Sequence, residues 1–240
     1  MCAAPLFSVI LVCHNPGSRL QPALESIWGQ RWLEPELAVI DRGSNDGTLV
    51  MLESNRQRFA RLEVAPERNV YAALNDAITA ATGEWVLVLG GRDRLVGEMV
   101  LSETGNWMKR TEAGVVAGES ADDDGRIQKL HSRVNAAARN FTPPSATFYR
   151  RSVFAENGGF DATLNTMGDY EFNIRLWKGR VRFKPVPLRI AACAAREPYD
   201  WRACREEIHV RHRYFSVVRS LPWDLVSALR CLMMRRRSRH

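Results

Sequence analysis

The chain has 240 residues, 45% hydrophobic and 25% charged, with 34 Lys or Arg against 27 Asp or Glu. That length buries a full core near the ceiling for one domain, and without a run of 18 apolar residues the sequence holds no membrane-spanning segment. The net charge of +7 belongs to the tail, because residues 175–240 carry 17 basic and 5 acidic side chains and residues 1–174 carry 17 and 22.

Cys2, Cys13, Cys193, Cys204 and Cys231 are odd in number and lack zinc-type pairing, which points to a reducing cytoplasm. The apolar N-terminus has no preceding positive charge and runs straight into the first predicted strand, so it reads as strand rather than signal peptide. No repeat or low-complexity linker interrupts the chain.

In chain order, Phe7 to Cys13 is a continuous apolar run, and residues 19–28 have helical spacing through Leu20, Ala23, Leu24 and Ile27. A second strand over 37–40 ends in the polar loop 41–48, where Asn45 or Asp46 is a natural N-cap for a helix to about residue 58. A weak strand over 62–65, a helix over 70–81 and a strand over 85–89 follow. Continuously apolar strands alternating with helices predict a parallel sheet covered on both faces, which binds ligands beyond its carboxyl edge. Asn15, Asp41 and Asp93 fall at that edge. The fourth strand stops at Gly90-Gly91 and then at Asp93 between Arg92 and Arg94; glycines bring backbone close to a ligand, and a carboxylate there can hold a divalent cation against phosphates.

Further on, Asp122-Asp123-Asp124-Gly125 reads as a tight turn between two edge strands. Asp169 stands before a helix over 170–177, either as its cap or as a chemical group. His14 and His131 are lone histidines, and Trp28, Trp32, Trp85 and Trp107 are most simply packing residues. A charged helix over 199–215 leads to Leu221-Pro222-Trp223 and a second helix ending in Arg235-Arg236-Arg237. Its stripe of Leu225, Val226, Leu229, Leu232 and Met233, with Trp223 at its start, suits an interfacial helix at an anionic leaflet or one packed on the main domain. No nucleic-acid-binding module is recognisable.

The ordered set Phe7 to Asn15, Val39 to Thr48, Tyr71-Ala72-Ala73-Leu74-Asn75, Ala80 to Trp85, Ser145 to Phe154, Gly158-Gly159-Phe160-Asp161 and Gly168-Asp169-Tyr170-Glu171 resembles family 2 glycosyltransferases of the GT-A fold. The resemblance implies an α/β GT-A domain over 1–190, a Rossmann-like, mostly parallel sheet flanked by helices, with a basic helical extension over 191–240. It implies inverting transfer of a sugar from a UDP- or GDP-sugar to a lipid-linked or polysaccharide acceptor, in cell-envelope work at the inner face of the membrane.

The same resemblance implies that Cys13, His14 and Asn15 cup the base and that Asp41 bonds base or ribose. Asn75, Gly91 and Arg92 complete the nucleotide contacts, Asp93 ligates magnesium or manganese, and Asp169 is the general base. Arg92 stands where the family has the first acid of its metal pair, so it either points away or acts as a phosphate clamp in the metal's stead. Ala72 replaces a frequent acid, and Asn69 a glycine whose left-handed backbone Asn tolerates. A degenerate relative that binds nucleotide without catalysis, or serves as a partner subunit, is the alternative reading.

Overall fold

The computed structural model describes residues 5–130, 136–137, 140–194 and 200–237, with side chains left aside at 230 and 232–237. His131 and the expected helix start at Tyr199 lie outside the described residues. The first half follows the predicted alternation: β1 (Phe7–Cys13), α1 (Leu20–Trp28), β2 (Glu36–Asp41), α2 (Thr48–Ser54), β3 (Arg61–Val64), α3 (Val70–Ala80) and β4 (Trp85–Gly90). These strands lie parallel in the order β3-β2-β1-β4. Successive strand residues face opposite ways, so Ile10, Ile40 and Val86 meet Leu74 and Ile78 of α3, while Val9, Leu11, Val39 and Leu87 meet Leu20, Leu24 and Ile27 of α1.

Helix α2 starts later and stops earlier than its pattern predicts. Gly47 at φ 91 holds the chain out of helix until Thr48, and a 3-10 turn replaces the helix over Arg56–Arg58.

The second half comprises β5 (Arg94–Leu95), α4 (Val100–Met108), β6 (Val115–Asp122), β7 (Ile127–Lys129), β8 (Thr147–Arg150), α5 (Ser152–Asn157), α6 (Gly168–Lys178), β9 (Phe183–Cys193), α7 (Trp201–Tyr214) and α8 (Val217–Arg237). The sheet is mixed from β4 onward: β8 is antiparallel to β4 and to β6, β9 is parallel to β6, and β5 is antiparallel to β9. The acidic turn 122–125 joins the β6–β7 hairpin, with the Gly125 N–H bonded to the Asp122 carbonyl at 2.9 Å, but β6 is not the edge strand expected, since it lies between β8 and β9. β9 has no strand signature because Pro185 and Pro187 interrupt it; a register shift opposite Ala117 to Ser120 absorbs the missing donors. This strand carries the sheet past residue 190 to Cys193, and α7 and α8 follow with Val210, Phe215 and Trp223 against the same core as α6.

The break expected at Leu221-Pro222-Trp223 does not occur. α8 runs through Pro222, whose missing N–H costs the helix one bond. No described helix is long and apolar enough to cross a membrane.

Candidate active site at the carboxyl edge

Register brings the predicted strand ends together, with Cys13 paired to Asp41 and Val12 to Gly90. Asp41 is fully buried, and its carboxylate accepts the N–H of Gly43 at 2.9 Å, the N–H of Ser44 at 2.8 Å and the Ser44 hydroxyl at 2.6 Å. The Ser44 oxygen in turn accepts the Asn15 N–H at 2.9 Å, and the Asn15 amide oxygen accepts the Asn45 N–H at 2.8 Å. Asn15, at φ 47, is thereby fixed in a left-handed turn. The polar atoms of Asp41 are thus taken up by its own loop, and it acts on the edge through Ser44 and Asn15.

Asp46 ties the next turn. It accepts the Gly17 N–H at 2.7 Å and bonds Thr48, and the Thr48 hydroxyl chiefly holds its carboxyl below the usual range. It supports the helix start from one position before the capping residue, Gly47.

The Cys13 thiol is pushed up to about 12, first by burial and then by the charges of Asp41 and Asp46, so it stays protonated. A Cβ on Gly91 would lie 2.8 Å from the Cys13 sulfur. The neighbouring strand therefore demands the second glycine. His14 is exposed, with Nδ1 3.2 Å from the Arg42 carbonyl. Beside it lies a donor that no motif argument singled out: Arg42 Nε is buried and without a hydrogen-bond partner among the described residues. A buried, unsatisfied donor costs about 1–3 kcal/mol, and an anionic or carbonyl acceptor arriving at the edge would satisfy it.

Arg92 is exposed at the turn after β4. Asp93 Oδ2 accepts the Ser145 hydroxyl and, at 3.3 Å, the Gly90 N–H, while Oδ1 accepts the Ala194 N–H at 3.0 Å. It thus pins the end of β4 to residues 144–146 and to the end of β9. The magnesium or manganese implied by the resemblance meets a poor donor set here: one carboxylate with both oxygens already bonded, beside a cationic neighbour. Among the described residues no three His, Cys, Asp or Glu side chains gather as metal ligands.

Asn75 does not join this edge. Its amide buckles α3 to the Gly158-Gly159-Phe160 segment, donating to the Phe160 carbonyl at 2.9 Å and accepting the Phe160 N–H at 2.8 Å. Asn69 is likewise not a left-handed residue but the N-cap of α3 at φ −58, accepting the N–H groups of Tyr71 and Ala72 and donating to the Leu164 carbonyl at 2.7 Å. A groove of about 340 Å³ lined by Ser8, Glu36, Ala38, Arg61 and Ala77 opens at the opposite, amino end of β1 and β2.

Asp169 occupies the first turn of α6 without capping it. Its Oδ2 accepts the Asn140 amide at 2.7 Å, and the Asn140 oxygen accepts Asn173 at 3.1 Å. The stretch 140–145 therefore touches both acids, Asp169 through Asn140 and Asp93 through Ser145. Two buried tyrosines lie close by; burial first, and then the Asp169 charge, push the hydroxyls of Tyr71 and Tyr149 up.

The loop before α6 is held from α7. Glu206 accepts the N–H groups of Asn165 at 2.9 Å, Thr166 at 2.8 Å and Met167 at 3.1 Å, with the Thr166 hydroxyl at 2.9 Å. Burial raises its carboxyl, but these bonds outweigh burial and hold it below the usual range. Arg213 pairs with Asp161 at 2.8 Å, and the buried Glu171 takes Arg175 at 2.9 Å and the Tyr214 hydroxyl. Asn140 and Glu206 carry no local sequence signal, since each reaches the site only through tertiary contact.

A parallel half-sheet continued by strands of mixed direction, with acids at its carboxyl edge and a further acid opening α6, defines a GT-A nucleotide-sugar transferase architecture. The family model for glycosyl transferase family 2 matches residues 8–177. The chain belongs to that family and is a glycosyltransferase. It is 30% identical over 185 residues to a PGL/p-HBAD biosynthesis glycosyltransferase of Mycobacterium bovis, covering 72% of this chain and 70% of the relative. An uncharacterized glycosyltransferase of Mycobacterium tuberculosis is 27% identical over 201 residues, 80% of this chain and 76% of that one.

Among solved structures, S. aureus TarS 1-349 in complex with UDP superposes with a TM-score of 0.69 at 20% identity, over 87% of this chain and 64% of that one. The mannosyltransferase PcManGT from Pyrobaculum calidifontis, in complex with GDP-Man and Mn2+, gives 0.63 at 20% identity, over 95% and 65%. The chain thus spans less than two thirds of these solved chains, and at this identity they establish the fold.

Proposed function

We propose that the protein transfers a sugar, with inversion, from a UDP- or GDP-sugar to a lipid-linked or glycan acceptor, and that Asp169 is the general base. The acceptor hydroxyl gives its proton to the Asp169 carboxylate as its oxygen bonds to the anomeric carbon, and the bond from that carbon to the diphosphate oxygen breaks on the opposite face, releasing the nucleoside diphosphate. The observation that supports the reading is the 140–145 stretch, which bonds Asp169 through Asn140 and Asp93 through Ser145 and so ties the α6 acid to the turn after β4. Nucleotide binding falls to the 13–15 and 41–45 loops, with the buried Arg42 Nε as a donor seeking an acceptor.

Positive charge at this edge comes from Arg42 and Arg92, whose planar guanidinium groups suit phosphate oxygens. Asp93 is the one carboxylate there that could share a magnesium or manganese ion. Incubation with a panel of UDP- and GDP-sugars and a lipid-linked acceptor, with NMR of the new anomeric bond, tests the reading: an inverted product is expected, and a retained configuration overturns the mechanism. Arg92 in place of an acid favours one second reading, a nucleotide-binding subunit without catalysis. Tight UDP or GDP binding with no transfer to any acceptor, with or without manganese, would establish it.

A further inference from the structure

Helix α8 is built inside out. Ser220 and Ser227 are buried, at 0% and 1% exposed, and with Asp224 they face α7. There Arg211, itself 1% exposed, bonds Asp224 at 3.0 Å and the Ser227 hydroxyl at 2.8 Å beside Glu207, and His212 meets Asp224 at 2.8 Å. The outward face is apolar: Val218, Leu221, Leu225 and Leu229, three and four residues apart, are 86, 52, 59 and 58% exposed. Trp223, expected on this stripe, instead packs inward.

An amphipathic helix on a globular domain ordinarily turns its apolar stripe to the core. α8 cannot roll to do so, because that would strip Asp224 and Ser227 from a buried guanidinium. The exposed Arg219 flanks the stripe, and residues 217–237 carry five arginines against one acid, Asp224.

We propose that the outward face of α8 is a docking surface for an anionic lipid bilayer. The apolar stripe of a basic helix inserts at the headgroup boundary while the helix's cations meet anionic lipid. A second copy of this chain fits the face poorly, because stripe-on-stripe pairing would bring two basic helices together. The use of such docking rests on the lipid-linked acceptor proposed above: α8 is tied to α7, and α7 holds the base helix through Glu206, so docking seats the acid near the lipid surface.

Co-sedimentation of the full chain with equimolar phosphatidylcholine and phosphatidylglycerol vesicles tests this. Binding is expected, about ten-fold weaker on phosphatidylcholine alone. The triple variant Leu221→Ser, Leu225→Ser, Leu229→Ser should lose binding about ten-fold while keeping its circular dichroism and UDP affinity. Vesicle binding equal to wild type in the triple variant overturns the proposal. So does a wild-type dimer in light scattering that the variant turns into a monomer, since a second copy then covers the stripe. Vesicle binding without sugar transfer would fault the enzymatic reading alone, and transfer to a soluble acceptor without vesicle binding would fault the docking surface alone.

Discussion

The strand-end edge and the α6 platform hold their acids in opposite ways. At the edge, Asp41, Asp46 and Asp93 accept backbone N–H groups and hydroxyls of adjoining loops, so each acid shapes a loop. On the platform, the Asp169 helix is fixed from outside, by Asn140 on one side and by Glu206 of α7 on the loop before it. An acid inside a recognisable motif can therefore be architectural, while a helix from the charged tail governs where the proposed base stands.

The sharpest way to break this contrast is at Glu171, which shares the motif with Asp169 but is buried against Arg175 and Tyr214. Glu171→Ala should destabilise the fold by about 3 kcal/mol by removing the carboxylate that a partly buried arginine and the Tyr214 hydroxyl share; urea unfolding measures it, and a loss under about 1 kcal/mol would mean the pair is not structural. Asp169→Asn should leave stability nearly unchanged and lower turnover on the order of 100-fold, or about 2.7 kcal/mol, with UDP affinity retained in calorimetry. Wild-type turnover in that variant would move the base elsewhere.

Glu206→Gln keeps the shape of the clamp but replaces one acceptor oxygen by a donor, which faces backbone N–H groups. Turnover should fall about ten-fold with little change in donor KM, and Glu206→Asp should recover part of it. An equal effect on donor affinity would place Glu206 in general folding rather than in positioning the base. At the edge, Arg42→Ala and Arg92→Ala should each weaken UDP binding a few-fold in chelator, or about 1 kcal/mol. If Arg92→Ala is silent and the wild type depends wholly on manganese, the arginines are not the diphosphate clamp.

The smallest effect expected is on the acid side. Burial raises the Asp224 carboxyl, but the bonds from His212 and Arg211 outweigh it and hold it low. A depressed folded value means that its contribution is complete above the ordinary aspartate value of 3.8 and is lost as pH falls through the lower folded value. Acid titration followed by Trp223 fluorescence should show α8 loosening in that window, and Asp224→Asn should remove the step.

The alternation of apolar strands and helices from Phe7 to Gly90 was legible in the sequence because period and composition are local properties, and the register of a parallel sheet then carries Cys13, Asp41 and Gly90 to one edge. The position of Asp169 at a helix start was legible for the same reason. What each residue does there was not: Asp41 turns to the N–H groups and hydroxyl of its own loop, while Asn75 buckles Phe160 and Gly91 makes room for Cys13, partners far away in the chain. β9 escaped notice because its prolines are tolerated only opposite a register shift in β6. The same limit governs α8. Its composition announced an apolar stripe and a basic end, but a helix can turn either face to its neighbour, and only the buried Arg211, which needs Asp224 and Ser227 inward, decided that the leucines face out.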